Sequence, residues 1–257
     1  MRLVVLGSGT VAPSADRTSA AYWITAADTK LLLECGAGTM HRAAQFSVPW
    51  HQATHVALSH FHMDHWGELP AFIFALRWGI EPPRSEPMTL IGPPGLTDRL
   101  RLLAGALGNW LLEPGFPLGI VEIVPGAGIP LSGDVTLEAY RTLHTEHSLA
   151  FAVRDGEARL VYTGDTGPDE GLASWALGCD LLLAECSLPD DRAVDVHLTP
   201  KRAGQLALRA RAGELVLTHF YPVFGGLDPA AVAGTVFGGP TTAARDGDRF
   251  DIVRETK

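Results

Sequence analysis

The stretch HVALSHFHMDHWGELP (55–70) decides how this chain is read. HVALS (55–59) is an apolar run of strand length. It stops at HFHMDHW (60–66), and ELPAFIFALRW (68–78) then continues at helix length. Three histidines and an aspartate, His60, His62, Asp64 and His65, fall within six residues at the end of that strand. So many polar groups beside a core are costly unless something coordinates them. Imidazole nitrogens and carboxylate oxygens are ordinary zinc ligands. Histidines at i and i+2 of an extended loop can point the same way, and the following Asp-His pair can reach a second ion. Two ions roughly 3.5–4 Å apart clamp the attacking and leaving oxygens of a displacement.

Working outward, the other candidates share one position. His144 follows VTLEAYRTL (135–143), Asp165 sits in TGDT after RLVYTG (159–164), and His219 closes the run ELVLT. Each lies at or just past the C-terminal end of a predicted strand. Strand ends along one sheet edge converge, so these residues can share a site. His147 competes with His144 on sequence alone. His41, His51 and His55 stand apart and read as surface histidines.

The remaining pattern alternates strands with helices. RLVVLG (2–7), AAYWIT (20–25), KLLLE (30–34) and MTLIG (88–92) read as strands, and GAGTMHRAAQF (36–46) as a turn entering a helix. EPPRSEP (81–87) is a surface loop. Residues 95–108 suit a helix, while the Gly- and Pro-containing segment 109–134 resists placement. In the second half LAFAVR (149–154), DLLLAE (180–185) and DRFDIV (248–253) read as strands, and PKRAGQLALRARAG (200–213) as an amphipathic helix ending at glycine. Both halves begin with strands and proceed to strand–helix units, which argues for a layered α/β or α+β sandwich.

Composition narrows the setting. The chain has 257 residues, 46% hydrophobic and 19% charged, enough for a sizeable core. Its 29 acidic residues outnumber 20 basic ones, and the formal charge of -9 argues against a long nucleic acid as substrate. Cys35, Cys179 and Cys186 are odd in number and form no CxxC pair, so buried thiols in a reducing cytoplasm fit best. The opening MRLVVLGSG is too short for a signal-peptide core, and no run approaches a membrane span.

These residues resemble the metallo-β-lactamase superfamily and, within it, the ribonuclease Z-like branch. The resemblance runs through LGSGTVAPSADRTSAAYWI (6–24), LLLECGAGT (31–39), HFHMDHWGELP (60–70), HTEHSLAFAV (144–153), TGDT (163–166), AECS (184–187), HLTPKRAGQLA (197–207) and LTHF (217–220). It implies a four-layer αββα sandwich over residues 1–257 as one domain, with the site at one edge between the sheets. It also implies two zinc ions, though manganese or iron suits the same donors. His60, His62 and His144 would hold one ion, Asp64, His65 and His219 the other, and Asp165 would bridge them beside a nucleophilic hydroxide. Asp64, His197 and Glu185 are the expected catalytic residues, with His197 near the leaving group and Glu185 orienting it. Branch members are often homodimers, which no pattern here signals independently.

The chain also departs from the branch. Asp165 follows His144 by only 21 positions and two predicted strands fill the interval, so no tRNA-gripping arm fits there. Met63 stands where tRNA-processing members usually have glycine, and Glu34 where aspartate is more usual. The expectation is therefore a zinc phosphodiesterase acting on small phosphodiesters. The alternatives are a zinc hydrolase of a lactone, β-lactam, thioester or sulfate ester, a tRNA 3′ endonuclease, and a non-catalytic binding module. Trp66, Phe72, Phe74, Trp78, Trp110, Phe220, Tyr221 and Phe224 are either core or the lining of an apolar pocket.

Overall fold

The computed structural model describes residues 1–253. The first half comprises β1 (Arg2–Gly7), β2 (Ala21–Ala26), β3 (Thr29–Leu33), α1 (Thr39–Gln45), β4 (His55–Ala57), α2 (Met63–Trp66), α3 (Leu69–Trp78), β5 (Met88–Gly92), α4 (Leu96–Leu107) and β6 (Leu118–Glu122). The second comprises β7 (Gly128–Ser132), β8 (Val135–Arg141), β9 (Leu149–Asp155), β10 (Ala158–Tyr162), α5 (Glu170–Trp175), β11 (Leu181–Glu185), α6 (Pro200–Ala210), β12 (Glu214–Thr218), α7 (Pro229–Phe237), β13 (Thr241–Ala243) and β14 (Arg249–Asp251).

Two seven-stranded sheets form, ordered β14-β1-β2-β3-β4-β5-β6 and β13-β12-β11-β10-β9-β8-β7. In each sheet the earlier strands pair antiparallel and the later ones parallel, the change falling at β3–β4 and β10–β11. β14 departs from this division: it returns from the end of the second half to pair with β1. Among the described residues, no helix is long and apolar enough to cross a membrane.

Alternation along the strands explains the layers. Leu3, Val5, Tyr22, Ile24, Leu31 and Leu33 face inward onto Leu137, Phe151, Val153, Leu183 and Val216 of the other sheet. Val4, Leu6, Trp23 and Leu32 face outward and are covered by Phe72, Ile73, Leu76 and Leu100 of α3 and α4. On the far side Ala152, Val161, Leu182 and Leu217 are covered by Leu172, Ala203, Leu206 and Ala233 of α5, α6 and α7. Sheets buried on both faces require nearly continuous apolar strands, as the sequence has. The result is the αββα sandwich of the metallo-β-lactamase fold.

The hard-to-place segment 109–134 contains β6 and β7, each at one edge of its sheet. Both are largely half-buried or exposed, and Pro130 sits in β7, so neither shows a clean apolar pattern. Two further helices, α5 and α7, begin at Asp169 and Asp228, whose carboxylates accept the first free backbone N–H groups. The basic stretch 201–213 lies on α6, where Lys201 and Arg209 face solvent and Arg209 pairs with Glu170. All three cysteines are buried and unpaired.

Candidate metal centre

The C-terminal ends of strands from both sheets deliver the polar residues to one rim. β4 leads into His60, and the single-turn helix α2, entered from His62, carries Asp64 and His65. β8 leads to His144, β10 to Asp165, β11 ends on Glu185, and β12 runs into His219. Two non-glycine residues here take left-handed backbone, His219 (φ 61°) and Glu34 (φ 64°). That conformation is uncommon for side-chain-bearing residues and concentrates at functional sites. Gly164 (φ 56°) turns the chain into Asp165, where an added Cβ would lie 2.4 Å from the Leu149 carbonyl oxygen.

Ligating atoms of His60, His62, His144 and Asp165 lie within 4.8 Å of one another, and so do those of Asp64, His65 and His219. In the first group His144 Nε2 is 3.1 Å from His62 Nδ1, and Asp165 Oδ2 is 3.6 Å from His144 Nε2 and 3.8 Å from His60 Nε2. In the second, His219 Nε2 is 3.2 Å from His65 Nε2 and 3.3 Å from Asp64 Oδ2. Asp165 Oδ1 lies 3.5 Å from both His65 and His219 Nε2. Donors about 2.0–2.2 Å from a tetrahedral ion stand roughly 3.3–3.6 Å apart, so these spacings suit one ion per group. Asp165 turns one oxygen to each group. His60 Nε2 and Asp165 Oδ1 are buried with no hydrogen-bond partner, as expected of atoms that a cation would engage. The residues therefore fit divalent metal.

A second layer fixes the rings. Ser59 Oγ is 2.9 Å from His60 Nδ1, Ser187 Oγ is 2.9 Å from His219 Nδ1, and the Val196 carbonyl oxygen is 3.2 Å from His144 Nδ1. Fully buried Glu34 accepts the Ser59 N–H and stands 3.3 Å from His65 Nδ1. Such partners select the tautomer and aim the opposite nitrogen. Ser59 and Ser187 were not foreseen from sequence, although Ser187 lies within AECS. No periodicity reveals where a serine hydroxyl points.

Burial and crowding set the charges. Burial pushes His60 well below the usual histidine range, and neighbouring His65 adds to this. Burial opposes charge on His65, but Asp165 and Glu34 outweigh it and raise its pKa well above that range. Burial would raise Asp165, yet the surrounding histidines, His219 and His65 foremost, hold it well below the carboxylate range. Asp64 follows the same balance, with His219 bringing it down to about 2.

His197 stands beside the cluster, a ring nitrogen within 4.8 Å of ligating atoms of Asp165 and His219. Its Nδ1 lies 2.8 Å from Glu185 Oε1, and Glu185 also accepts the Thr166 N–H at 2.8 Å and the Ser187 hydroxyl at 2.6 Å. Burial alone would lower the His197 pKa, but the Glu185 carboxylate raises it. The segment before α6 sets this position: Thr199 caps the helix, donates its hydroxyl to Asp190, and precedes Pro200.

His147 stays outside the cluster, its Nε2 facing Glu146 at 4.0 Å. Beside His60 and His62 a cleft of about 590 Å³ opens, with Trp66 on its wall. Of the other aromatic residues, Phe72 is core, Phe74, Trp78 and Trp110 pack on one another at the outer surface, and Phe224 packs on Phe220. The Tyr221 ring lies 6.5 Å from that of His219. A larger groove of about 990 Å³, lined by Lys30, His55 and Arg84 among others, is at the N-terminal ends of β3, β4 and β5 and holds none of the clustered residues.

Residues 29–220 match the β-lactamase superfamily domain. The chain belongs to this superfamily. Among its β-lactamase superfamily relatives, ribonuclease Z of Halorubrum lacusprofundi is 26% identical, covering 98% of this chain and 97% of the relative. The probable metallo-hydrolase YhfI of Bacillus subtilis is 27% identical over 96% and 98% of the two chains. The crystal structure of YhfI shares the fold at a TM-score of 0.83, with 24% identity, 97% of this chain covered and 98% of that one. The short form of human tRNase Z does so at 0.80, with 24% identity and coverage of 99% and 100%. A diphosphatase of the PhnP family does so at 0.68, with 17% identity and 97% coverage of each chain.

Proposed function

We propose that this superfamily member is a dinuclear zinc-dependent phosphodiesterase acting on small phosphodiesters. The observation that carries the proposal is Asp165, whose two oxygens face two separate groups of donors. In this reading His60, His62 and His144 hold one ion, Asp64, His65 and His219 the other, and Asp165 joins them. When bound, a pair of divalent ions polarises the ester and lowers the pKa of water, supplying a nucleophile near neutral pH. Asp64 Oδ2 stands 3.3 Å from His219 Nε2, placed so that both atoms would face the same ion. His197 holds a proton for the departing oxygen, and Glu185, buried and accepting at its Nδ1, keeps that imidazole charged and aimed.

Small substrates suit the surroundings. The cleft has the size of a small-molecule site. β9 and β10 occupy the interval between His144 and Asp165, joined by a tight turn at Gly156 and Glu157. Alignment with the haloarchaeal ribonuclease Z spans 310 positions, which this chain of 257 crosses only with gaps, whereas the YhfI alignment spans 253. The names ribonuclease Z and PhnP-family diphosphatase both support phosphoester chemistry. A cytoplasmic setting accords with three buried, unpaired thiols.

The test is a panel on zinc-loaded protein: bis-p-nitrophenyl phosphate, cyclic nucleotides, p-nitrophenyl sulfate, a lactone, nitrocefin and a 3′-extended tRNA. The highest kcat/KM is expected on a small phosphodiester. Higher efficiency on the sulfate, lactone or nitrocefin would replace the bond class, and efficient position-specific trimming of the tRNA would overturn the size argument.

A further inference from the structure

The cleft beside the cluster carries a cation that the chemistry described so far does not use. Arg99, on α4, lines it together with His60, Phe61, His62 and Trp66. Its guanidinium lies 4.0 Å from the centre of the Phe61 ring, and Phe61 stands between two clustered histidines. One nitrogen, Nη1, donates to the Gly95 carbonyl oxygen at 3.2 Å. Gly95 makes this fold-back feasible, because a Cβ there would come within 2.5 Å of the same nitrogen.

Among the described residues no carboxylate pairs with Arg99. Asp98, its neighbour in sequence, is engaged by Arg101 at 3.1 Å. Glu122 accepts the Gly95 and Thr97 N–H groups at the start of α4. Glu146 also borders the cleft, but its side chain is 83% exposed and water screens its field. The guanidinium is thus held on an aromatic face with donors unspent, in a protein of net charge -9. Such a group is suited to bidentate recognition of phosphate or carboxylate.

We infer that Arg99 selects phosphodiesters carrying a second anionic group on the part of the substrate that occupies this cleft, with Trp66 and Phe61 accepting the flat or apolar portion between the two charges. The inference rests on the phosphodiesterase reading and names the substrate class within it. Arg99 is a specificity determinant. It is not assigned to the bond-breaking step.

The test compares two diesters with the same leaving group, thymidine 5′-(p-nitrophenyl phosphate) and its 3′-phosphorylated counterpart. Wild-type zinc-loaded enzyme is expected to favour the 3′-phosphorylated diester in kcat/KM by about tenfold or more, the usual weight of a charge-assisted hydrogen bond. Arg99→Gln should lose that preference, its drop in kcat/KM on the 3′-phosphorylated diester exceeding its drop on the plain diester by about tenfold. Wild type without the preference, or equal losses on both substrates in Arg99→Gln, would overturn the inference and leave Arg99 a packing residue on Phe61. Calorimetric binding of thymidine 3′,5′-bisphosphate and thymidine 5′-monophosphate to both proteins gives a readout independent of turnover. If neither diester is hydrolysed, the phosphodiesterase reading fails. Arg99 recognition then stands if wild type alone binds the bisphosphate about tenfold more tightly than the monophosphate, and falls if both proteins bind the two nucleotides alike.

Discussion

Asp246 offers a perturbation whose size can be worked from the structure. Its side chain is 2% exposed and ties three segments together. Oδ1 accepts the Ser8 N–H at 2.9 Å and the Ser8 hydroxyl at 2.7 Å. Oδ2 accepts the Thr18 N–H at 2.8 Å and its hydroxyl at 3.1 Å, and faces Arg42 Nε at 3.1 Å. Asp246→Ala removes all of these acceptors. Two backbone donors then lack partners, each costing about 1–3 kcal/mol when buried. Arg42, itself partly exposed, can turn to water, so its share is about 1 kcal/mol or less. The sum is about 2–7 kcal/mol. At roughly 2–4 °C per kcal/mol for a chain of this size, the melting temperature should fall by about 4–28 °C. Asp246→Asn keeps one acceptor and should cost about half as much. Calorimetric melts of metal-stripped wild type and both variants read this directly. A shift below about 2 °C for Asp246→Ala would show that this carboxylate does not anchor the loop from Ser8 to Thr18 that follows β1. The loop matters to the site because the Ser8 carbonyl oxygen accepts the N–H of Phe220, the residue after His219.

Three further outcomes follow from the candidate centre. Asp165→Ala should lose at least one metal per chain by elemental analysis and fall to background turnover; two retained metals with near-native rates would show that it does not join them. His144→Ala should weaken metal binding, whereas His147→Ala, at the rim, should not; the reverse would transfer the ligand role. His197→Ala should lower kcat about a hundredfold or more on diesters with alkoxide leaving groups, yet much less on p-nitrophenyl esters, whose leaving group needs no proton; equal losses on both would assign His197 to structure instead.

Much of the architecture was legible because both sheets are buried on two faces, leaving near-continuous apolar runs bounded by polar turns. The helices at Thr39–Gln45, Leu69–Trp78 and Leu96–Leu107 fall within a few residues of their expected bounds. β6 and β7 were not legible, since edge strands answer to one neighbour and need no clean alternation. α5 and α7 escaped because six and nine residues give little periodicity. The clustered residues were readable from their shared place after strands. Ser59 and Ser187 were not, because their importance lies in side-chain direction. Arg99 was hidden for a related reason: on sequence it is one of several arginines on a helix, and only packing sets it over Phe61.

The division of the chain into two similar halves has a thermodynamic consequence. His60, His62, Asp64 and His65 precede β7, while His144, Asp165 and His219 follow it, so each group of donors draws on both halves. Any ion held there is a chelate across the seam, and its binding energy is also association energy between the sheets. Cleavage in the connection from Ile123 to Ala127 would yield two fragments, the second still carrying β14 for the edge of the first sheet. Their affinity for each other would then be linked to free metal, gaining about 1.4 kcal/mol for every tenfold rise above the dissociation constant of one shared ion.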